Sequence, residues 1–147
     1  RGDLFQGQLH LGGPVRVSVS QYMDPLSQHI AAYMALMQAH GRLLTLWDKG
    51  VPVGWLTFFL VDSLEQADRL HARGLWSVAL DSPQGVVAYI DKIVLSAPWT
   101  REVREGVEQT ITEAHPQIRQ TVWYRPTNTV DRRVVRPVNV RSHHAKV

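Results

Sequence analysis

A single aspartate interrupts a strongly apolar stretch of the chain. Residues 86–95 read VVAYIDKIVL, so Asp91 stands among side chains that favour a protein core. Removing an unpaired carboxylate from water costs several kcal/mol, or it forces the group to take up a proton. Asp91 is therefore either held by a structural partner or part of a site, and both interpretations stay open on these residues alone.

Histidine is the other side chain here that can carry acid–base chemistry near neutral pH. The chain has seven histidines, and His29 follows DPLSQ at the predicted start of a helix, where a solvated helix surface is the alternative to a catalytic role. The histidines lack the spacing of a metal site, so we predict no bound metal. Because there are no cysteines, disulfides, thiolate zinc sites and a cysteine nucleophile are excluded.

Hydrophobic periodicity and turn residues predict the elements that carry these groups. The predicted strands cover residues 15–20, 42–47, 51–61, 75–80, 86–95 and 119–124, with a further edge strand at Val134–Val135. The predicted helices begin after the capping residues Asp24, Ser63 and Thr100. The order of strands, hairpins and helices predicts an α+β fold with a single mixed, largely antiparallel central sheet and flanking helices.

Local signals predict where several elements begin and end. One face of the first helix is predicted to pack through Leu26, Ile30, Tyr33, Met34 and Met37. Gly41 is predicted to stop that helix, and residues 48–50 are predicted to form a hairpin turn. Ser63 and Gln66 have the spacing of a capping box.

Length and composition predict one domain with a basic extension. The 147 residues suit a single domain, which we place at residues 1–124, followed by a C-terminal extension at 125–147 formed by an edge strand and a flexible tail. The extension has six Lys or Arg residues against one acid, a charge of +5, so the rest of the chain sums to −2. No apolar run is long enough for a membrane span, and the lack of cysteines fits a cytoplasmic protein.

The basic extension allows three interpretations. It could bind an acidic protein, bind nucleic acid, or only keep the chain soluble. It lacks the interleaved aromatic residues of a single-strand binding platform, and no helix-turn-helix or zinc-finger spacing is present.

Four stretches, in this order, resemble a known family of enzymes. They are DPLSQH at 24–29, KGVPVGWLTFF at 49–59, YIDKIVLSAPW at 89–99 and VWYRP at 122–126. Together they resemble the toxin-activating lysine acyltransferases, the activators of RTX haemolysins, which have a GNAT-like acyltransferase architecture. The resemblance extends over residues 22–136.

The resemblance implies an acyl transfer in which His29 and Asp91 are the catalytic residues. Enzymes of this family move a fatty-acyl group from acyl carrier protein to a lysine of a target protein. A lysine amine has a pKa near 10.4 and must lose a proton before it can attack a thioester, and a histidine held by a carboxylate can accept it. This sequence departs from the family pattern at Ser27, where the family has its histidine, which puts the role of His29 in doubt.

We also predict that Asp91 lies on an interior strand beside the strand with Trp55, near the helix that starts around Thr100.

The turn that follows the strand of Asp91 indicates which kind of acyl donor the enzyme would use. Enzymes that use coenzyme A usually have a glycine-rich turn there, whose backbone amides hold pyrophosphate. This chain has SAPWT at 96–100, where Pro98 lacks an amide hydrogen and Trp99 is bulky. That agrees with a donor on acyl carrier protein and with no bound cofactor. An acidic carrier would also give the basic extension a partner, so Trp99, Arg125, Arg132 and Arg133 are the candidate pocket or carrier-binding residues.

A second interpretation makes the protein a binding module. A GNAT-like fold can persist without catalysis, with the basic extension contacting nucleic acid or an acidic protein. The sequence also leaves a homodimer open.

Overall fold

The computed structural model describes residues 9–11, 25–73, 81–96 and 98–138 of the chain. The strands predicted at 15–20 and 75–80, and the last residues of the basic extension, lie outside these ranges. The elements in chain order are β1 (Leu9–Leu11), α1 (Pro25–Ala39), β2 (Leu43–Asp48), β3 (Val51–Val61), α2 (Leu64–Arg73), β4 (Val87–Leu95), α3 (Arg101–Ala114), β5 (Gln120–Arg125) and β6 (Arg132–Pro137).

The strands form one six-stranded sheet, in which they are arranged in the order β1 to β6. Pairing is antiparallel between β1 and β2, between β2 and β3, and between β5 and β6. It is parallel between β4 and β5, and α3 supplies the crossover that a parallel pair requires. The predicted fold class, α+β with a single mixed and largely antiparallel sheet, is confirmed.

The chain divides into two compact units. The first contains the described residues up to Thr57 together with Lys92–Arg104, and the second contains Phe58–Asp91 and the described residues from Glu105 onward. Because β3, β4 and α3 each run from one unit into the other, the backbone passes between the units several times. The strand β6, which lies within the predicted basic extension, belongs to the second unit.

In the first unit, α1 packs through its second half. Tyr33 and Met37 are buried, and the Tyr33 hydroxyl is hydrogen bonded to the Thr57 hydroxyl at 2.5 Å. Leu26 and Ile30 are 68% and 42% exposed, so the prediction that they pack is wrong. Periodicity identifies the face of a helix that can pack, but the neighbouring residues decide how much of that face is covered.

Left-handed backbone conformations end α1 and close the β2–β3 hairpin. Gly41 has φ +69°, and the amides of Gly41 and Arg42 donate to the carbonyls of Gln38 and Met37 at 3.1 and 2.8 Å. This is the Schellman arrangement, and the predicted stop at Gly41 is confirmed. Residues 49 and 50 have φ 53° and 82°, as a tight hairpin turn between twisted strands requires.

The core of the second unit holds the strands that lead to the polar residues described below. Its buried apolar side chains include Phe58, Phe59, Leu60, Val61, Val87, Ala88, Ile90, Val107, Ile111 and Val122. The start of α2 is capped, because the Ser63 hydroxyl accepts from the Gln66 amide at 3.1 Å. The Gln66 side chain accepts from the Asp62 amide at 2.7 Å, one residue before the position expected for a capping box.

Candidate functional site

Asp91 lies on β4, which is flanked in the sheet by β3, the strand that contains Trp55, and by β5. Its side chain is half-buried and its Oδ1 accepts a hydrogen bond from the Tyr89 hydroxyl at 3.0 Å. Residues two apart on a strand point to the same side of the sheet, which brings Tyr89 and Asp91 together. The predicted interior position of Asp91 is therefore confirmed, whereas its proximity to the start of α3 stays a prediction.

The imidazole of His71, on α2, stands between Tyr89 and a second carboxylate. Its Nε2 is 2.6 Å from Oδ2 of Asp131, and its Nδ1 is 3.5 Å from the Tyr89 hydroxyl. An ionised carboxylate only accepts hydrogen bonds, so Asp131 places the hydrogen of a neutral His71 on Nε2. The contacts form a continuous chain of groups, Asp91–Tyr89–His71–Asp131.

A second hydrogen-bonded group, formed by Tyr124, Asp68 and Arg133, packs against the face of the His71 ring. The Tyr124 ring, on β5, stacks on His71 with centroids 3.9 Å apart and planes 6° apart. The Tyr124 hydroxyl donates to Asp68 Oδ1, and Arg133 Nη1 donates to Asp68 Oδ2 at 2.9 Å. Asp68 and His71 are three residues apart on α2 and so share a face of that helix.

Both phenols of the site are kept neutral well above neutral pH. Burial, followed by the negative charge and hydrogen bond of Asp91, raises the pKa of Tyr89 far above its usual value. Burial and the hydrogen bond to Asp68 raise the pKa of Tyr124, and the Arg133 charge opposes that shift. Each phenol therefore stays neutral and donates a hydrogen bond to its carboxylate.

The site lies where two parallel strands stop pairing. Among the described residues, β4 and β5 pair only over 87–89 and 120–122, although both strands continue. Asp91 and Tyr124 lie beyond the last paired residues, in the second unit. Beyond these residues the two strands no longer bond to each other in the described part of the chain, so the polar side chains of Asp91 and Tyr124 lie at the end of the parallel pair.

Contacts within the described part of the chain place two of the residues predicted for the site in this cluster. Asp91 and Arg133 belong to the cluster just described, and Arg125 and Arg132 are exposed residues opposite each other on β5 and β6. His29 is exposed on α1, which belongs to the first unit, and its catalytic role stays a prediction.

Trp99, the remaining candidate, is half-buried just before α3. It belongs to the first unit, whereas the cluster around Asp91 belongs to the second. Its role as a pocket residue stays a prediction.

Sequence reasoning missed five residues of the site, which are Asp68, His71, Tyr89, Tyr124 and Asp131. Two signals were present in the sequence. Tyr89 precedes Asp91 by two residues on a predicted strand, and Asp68 precedes His71 by three residues on a predicted helix. Asp131 gives no such signal, because only the fold brings the β5–β6 connection to α2.

Among the described residues, no group of three or more His, Cys, Asp or Glu side chains is arranged to hold a metal ion. No helix in the described ranges is both long and apolar enough to cross a membrane.

Comparison with known proteins finds a similarity in structure but none in sequence. No family model matches the chain, and no curated protein matches it. Among solved structures, the chain is similar to the loading GNATL domain of CurA from Lyngbya majuscula, with a TM-score of 0.46 and 10% identity over 80% of this chain. The match covers 64% of the length of that domain. A similarity of this size identifies neither a family nor an activity, so the resemblance to the toxin-activating acyltransferases stays a prediction from the sequence.

Proposed function

We propose that the protein is an acyltransferase that moves a fatty-acyl group from the thioester of acyl carrier protein to a lysine amine of a target protein, in the cytoplasm. The observation that carries this proposal is the chain of contacts Asp91–Tyr89–His71–Asp131 at the separating ends of β4 and β5. The motifs that resemble the toxin-activating family, and the lack of a glycine-rich turn at Pro98 and Trp99, support the choice of donor and acceptor.

The first task of such a site is to take a proton from the amine. A lysine arrives as an ammonium ion, because its pKa is near 10.4. In the neutral site His71 has a lone pair on Nδ1, which faces the Tyr89 hydroxyl. An amine bound at the Tyr89–Asp91 end gives its proton to this chain, the Tyr89 hydroxyl passes a proton to Nδ1, and Asp131 stabilises the imidazolium.

The free amine then attacks the thioester carbonyl. A carbon–nitrogen bond forms and the carbon–sulfur bond breaks, so the products are an amide and the thiol of the carrier. As the amide forms, the nitrogen loses its second proton to solvent, and the proton held on His71 returns through Tyr89 to the leaving thiolate. Each group of the chain ends in its starting protonation state, and no further reactant is needed.

The group formed by Tyr124, Asp68 and Arg133 positions the base. The stacked Tyr124 ring restricts rotation of the His71 imidazole, and the bond from Tyr124 to Asp68 fixes that ring. Arg133 neutralises Asp68, which leaves the Asp131 carboxylate as the anion that contacts His71. Holding a base in one orientation is worth a large part of its catalytic effect.

The test is an acyl-transfer assay that separates the two candidate histidines. Purified protein is mixed with fatty-acyl carrier protein and lysine-containing peptides, and mass spectrometry follows both the loss of the chain from the carrier and the mass gain of the peptides. We expect His71→Ala and Asp91→Asn each to lower the rate by about 10² to 10⁴, the range of general acid–base groups. We expect His29→Ala, the matched control on α1, to keep the wild-type rate.

Two outcomes would overturn this assignment. Loss of activity in His29→Ala with a normal rate in His71→Ala would show that the general base is His29, as the family resemblance implies, and not His71. Transfer by neither the wild type nor any variant would favour the inactive binding module. Thermal midpoints measured on each variant exclude unfolding as the cause of a lost rate.

A further inference from the structure

The β5–β6 hairpin distributes its arginines between two faces of the sheet. Residues directly opposite each other on antiparallel strands point to the same side. Tyr124 lies opposite Arg133, and both side chains reach Asp68 on α2. The side of the hairpin that faces α2 is therefore the side of the proposed catalytic site. On this side Arg133 is paired with Asp68.

The opposite side carries three other arginines. By alternation along the strands this side holds Arg125, Arg132 and Arg136, and it also holds Thr121, whose hydroxyl donates to Glu108 on α3. All three arginines are exposed. We call this set, Arg125, Arg132 and Arg136, the basic face.

The basic face carries positive charge that no described residue neutralises. None of the three side chains makes a hydrogen bond or ion pair with another described residue. The acid next in sequence, Asp131, is held by His71 on the other side of the hairpin. Arg125 lies directly opposite Arg132, a position in which like charges destabilise the pair of strands. A partner with negative charge would relieve this repulsion.

The spacing of the basic face fits an acidic protein surface better than a nucleic acid strand. Arg132 and Arg136 are four residues apart on a strand, about 13 Å, and Arg125 stands about 5 Å across from Arg132. Carboxylates on successive turns of a helix, about 5.4 Å apart, can reach all three. The aromatic residue on this face, Trp123, is only 7% exposed and so offers no surface on which bases could stack.

We propose that the basic face is the docking site for the acidic acyl carrier protein, with Arg125, Arg132 and Arg136 as the contacts. This inference rests on the proposed function. It replaces Arg133 with Arg136 in the set of carrier-binding residues predicted from the sequence, because Arg133 is paired with Asp68. The carrier then binds on one face of the hairpin while the proton chain occupies the other.

The test measures binding separately from catalysis. Calorimetric titration of the full chain with unacylated acyl carrier protein gives the affinity, and a variant with Arg125→Gln, Arg132→Gln and Arg136→Gln is compared with the wild type. We expect roughly tenfold weaker binding in the triple variant, the sum of three exposed charge contacts, and we expect added salt to weaken wild-type binding. Arg69→Gln, an exposed arginine of α2, is the control for loss of a charge elsewhere and should bind normally.

Acyl transfer from a small N-acetylcysteamine thioester, which needs no carrier, distinguishes this inference from the proposed function. A triple variant that keeps transfer from the small thioester and loses carrier binding supports both. Carrier binding that depends on the basic face, with no transfer from any donor, supports the docking site and overturns the proposed function. Carrier binding that the triple variant leaves unchanged overturns the docking site. Binding of a single-stranded DNA oligonucleotide through the basic face, with no binding of the carrier, also overturns it.

Discussion

At the scale of single residues, the two phenols beside His71 are each hydrogen bonded to a carboxylate. Tyr89 donates to Asp91 and Tyr124 donates to Asp68. Burial and the nearby negative charges oppose ionisation of both phenols, so their pKa values lie well above the usual range. In the proposed mechanism, the neutral hydroxyl of Tyr89 passes a proton between Asp91 and His71.

The raised pKa of Tyr89 makes stability depend on alkaline pH. Phenols of the unfolded chain ionise near pH 10, whereas the buried Tyr89 stays protonated, so above about pH 10 the folded state holds more protons than the unfolded state. The contribution is complete below that pH and is lost as the pH rises. We expect the free energy of unfolding of the wild type to fall more steeply than that of Tyr89→Phe, by about 1.4 kcal/mol for each pH unit above 10.

Urea unfolding at about pH 9 and about pH 11, followed by tryptophan fluorescence, checks this prediction. Comparing slopes removes any constant effect of the substitution on stability. Equal slopes in the wild type and in Tyr89→Phe would contradict it.

At the scale of elements, two glycines allow β3 to approach neighbouring backbone closely. In the first unit, a Cβ placed on Gly54 would overlap the Val94 carbonyl oxygen and lie 2.5 Å from Leu95 Cδ2. In the second unit, a Cβ on Gly85 would lie 2.5 to 2.7 Å from backbone atoms of Val61. Backbone atoms cannot move aside as the end of a flexible side chain can, so both positions require glycine for steric reasons.

We expect Gly54→Ala to lower the free energy of unfolding by about 1 to 3 kcal/mol, the usual cost of forcing extra volume into packed structure. The Ser96 amide and hydroxyl both bond to the Val53 carbonyl, at 2.8 and 3.0 Å, so the added methyl group strains a hydrogen-bonded part of the sheet. Urea unfolding curves of Gly54→Ala and the wild type give the difference. Lys92→Ala, at an exposed position of β4, is the control and should change stability by less than about 0.5 kcal/mol. A Gly54→Ala protein as stable as the control would show that the close approach is relieved at little cost.

At the scale of the whole molecule, the two compact units share their elements. The strands β3 and β4 and the helix α3 each continue from one unit into the other. A unit that unfolded alone would have to break each of these elements in its middle. Cooperative unfolding is the usual behaviour of single domains of this length.

We therefore expect one unfolding transition for the whole chain. Tryptophan fluorescence reports on all five tryptophans, which include Trp47, Trp55 and Trp99 in the first unit and Trp123 in the second, while circular dichroism reports on the helices of both. Urea curves from the two probes should coincide, with the same midpoint and slope. Midpoints that differ between the probes, or a plateau between two transitions, would contradict this prediction and identify units that unfold separately.

Much of the fold could be predicted from the sequence, because its signals are local. The stop at Gly41 and the strand at residues 51–61 depend on side chains a few positions away, and the structure has both where they were predicted. The interior position of Asp91 followed from its apolar neighbours. The packing of Leu26 and Ile30 was predicted wrongly, because it depends on how far the surrounding chain extends over α1.

The sequence by itself determined the class of the fold and singled out Asp91 and Arg133 of the site, since periodicity, turn residues, an aspartate in an apolar strand and a run of basic residues can be recognised without any partner. Only the tertiary structure decided that His71 lies between Tyr89 and Asp131. His71 contacts Tyr89, which is 18 positions away in the chain, and Asp131, which is 60 positions away. Such contacts exist because helix packing and strand pairing bring α2, β4 and the β5–β6 connection together. No local pattern encodes that proximity. The faces of the β5–β6 hairpin are likewise decided by the pairing of the two strands, because their register assigns Arg133 to one face and Arg136 to the other.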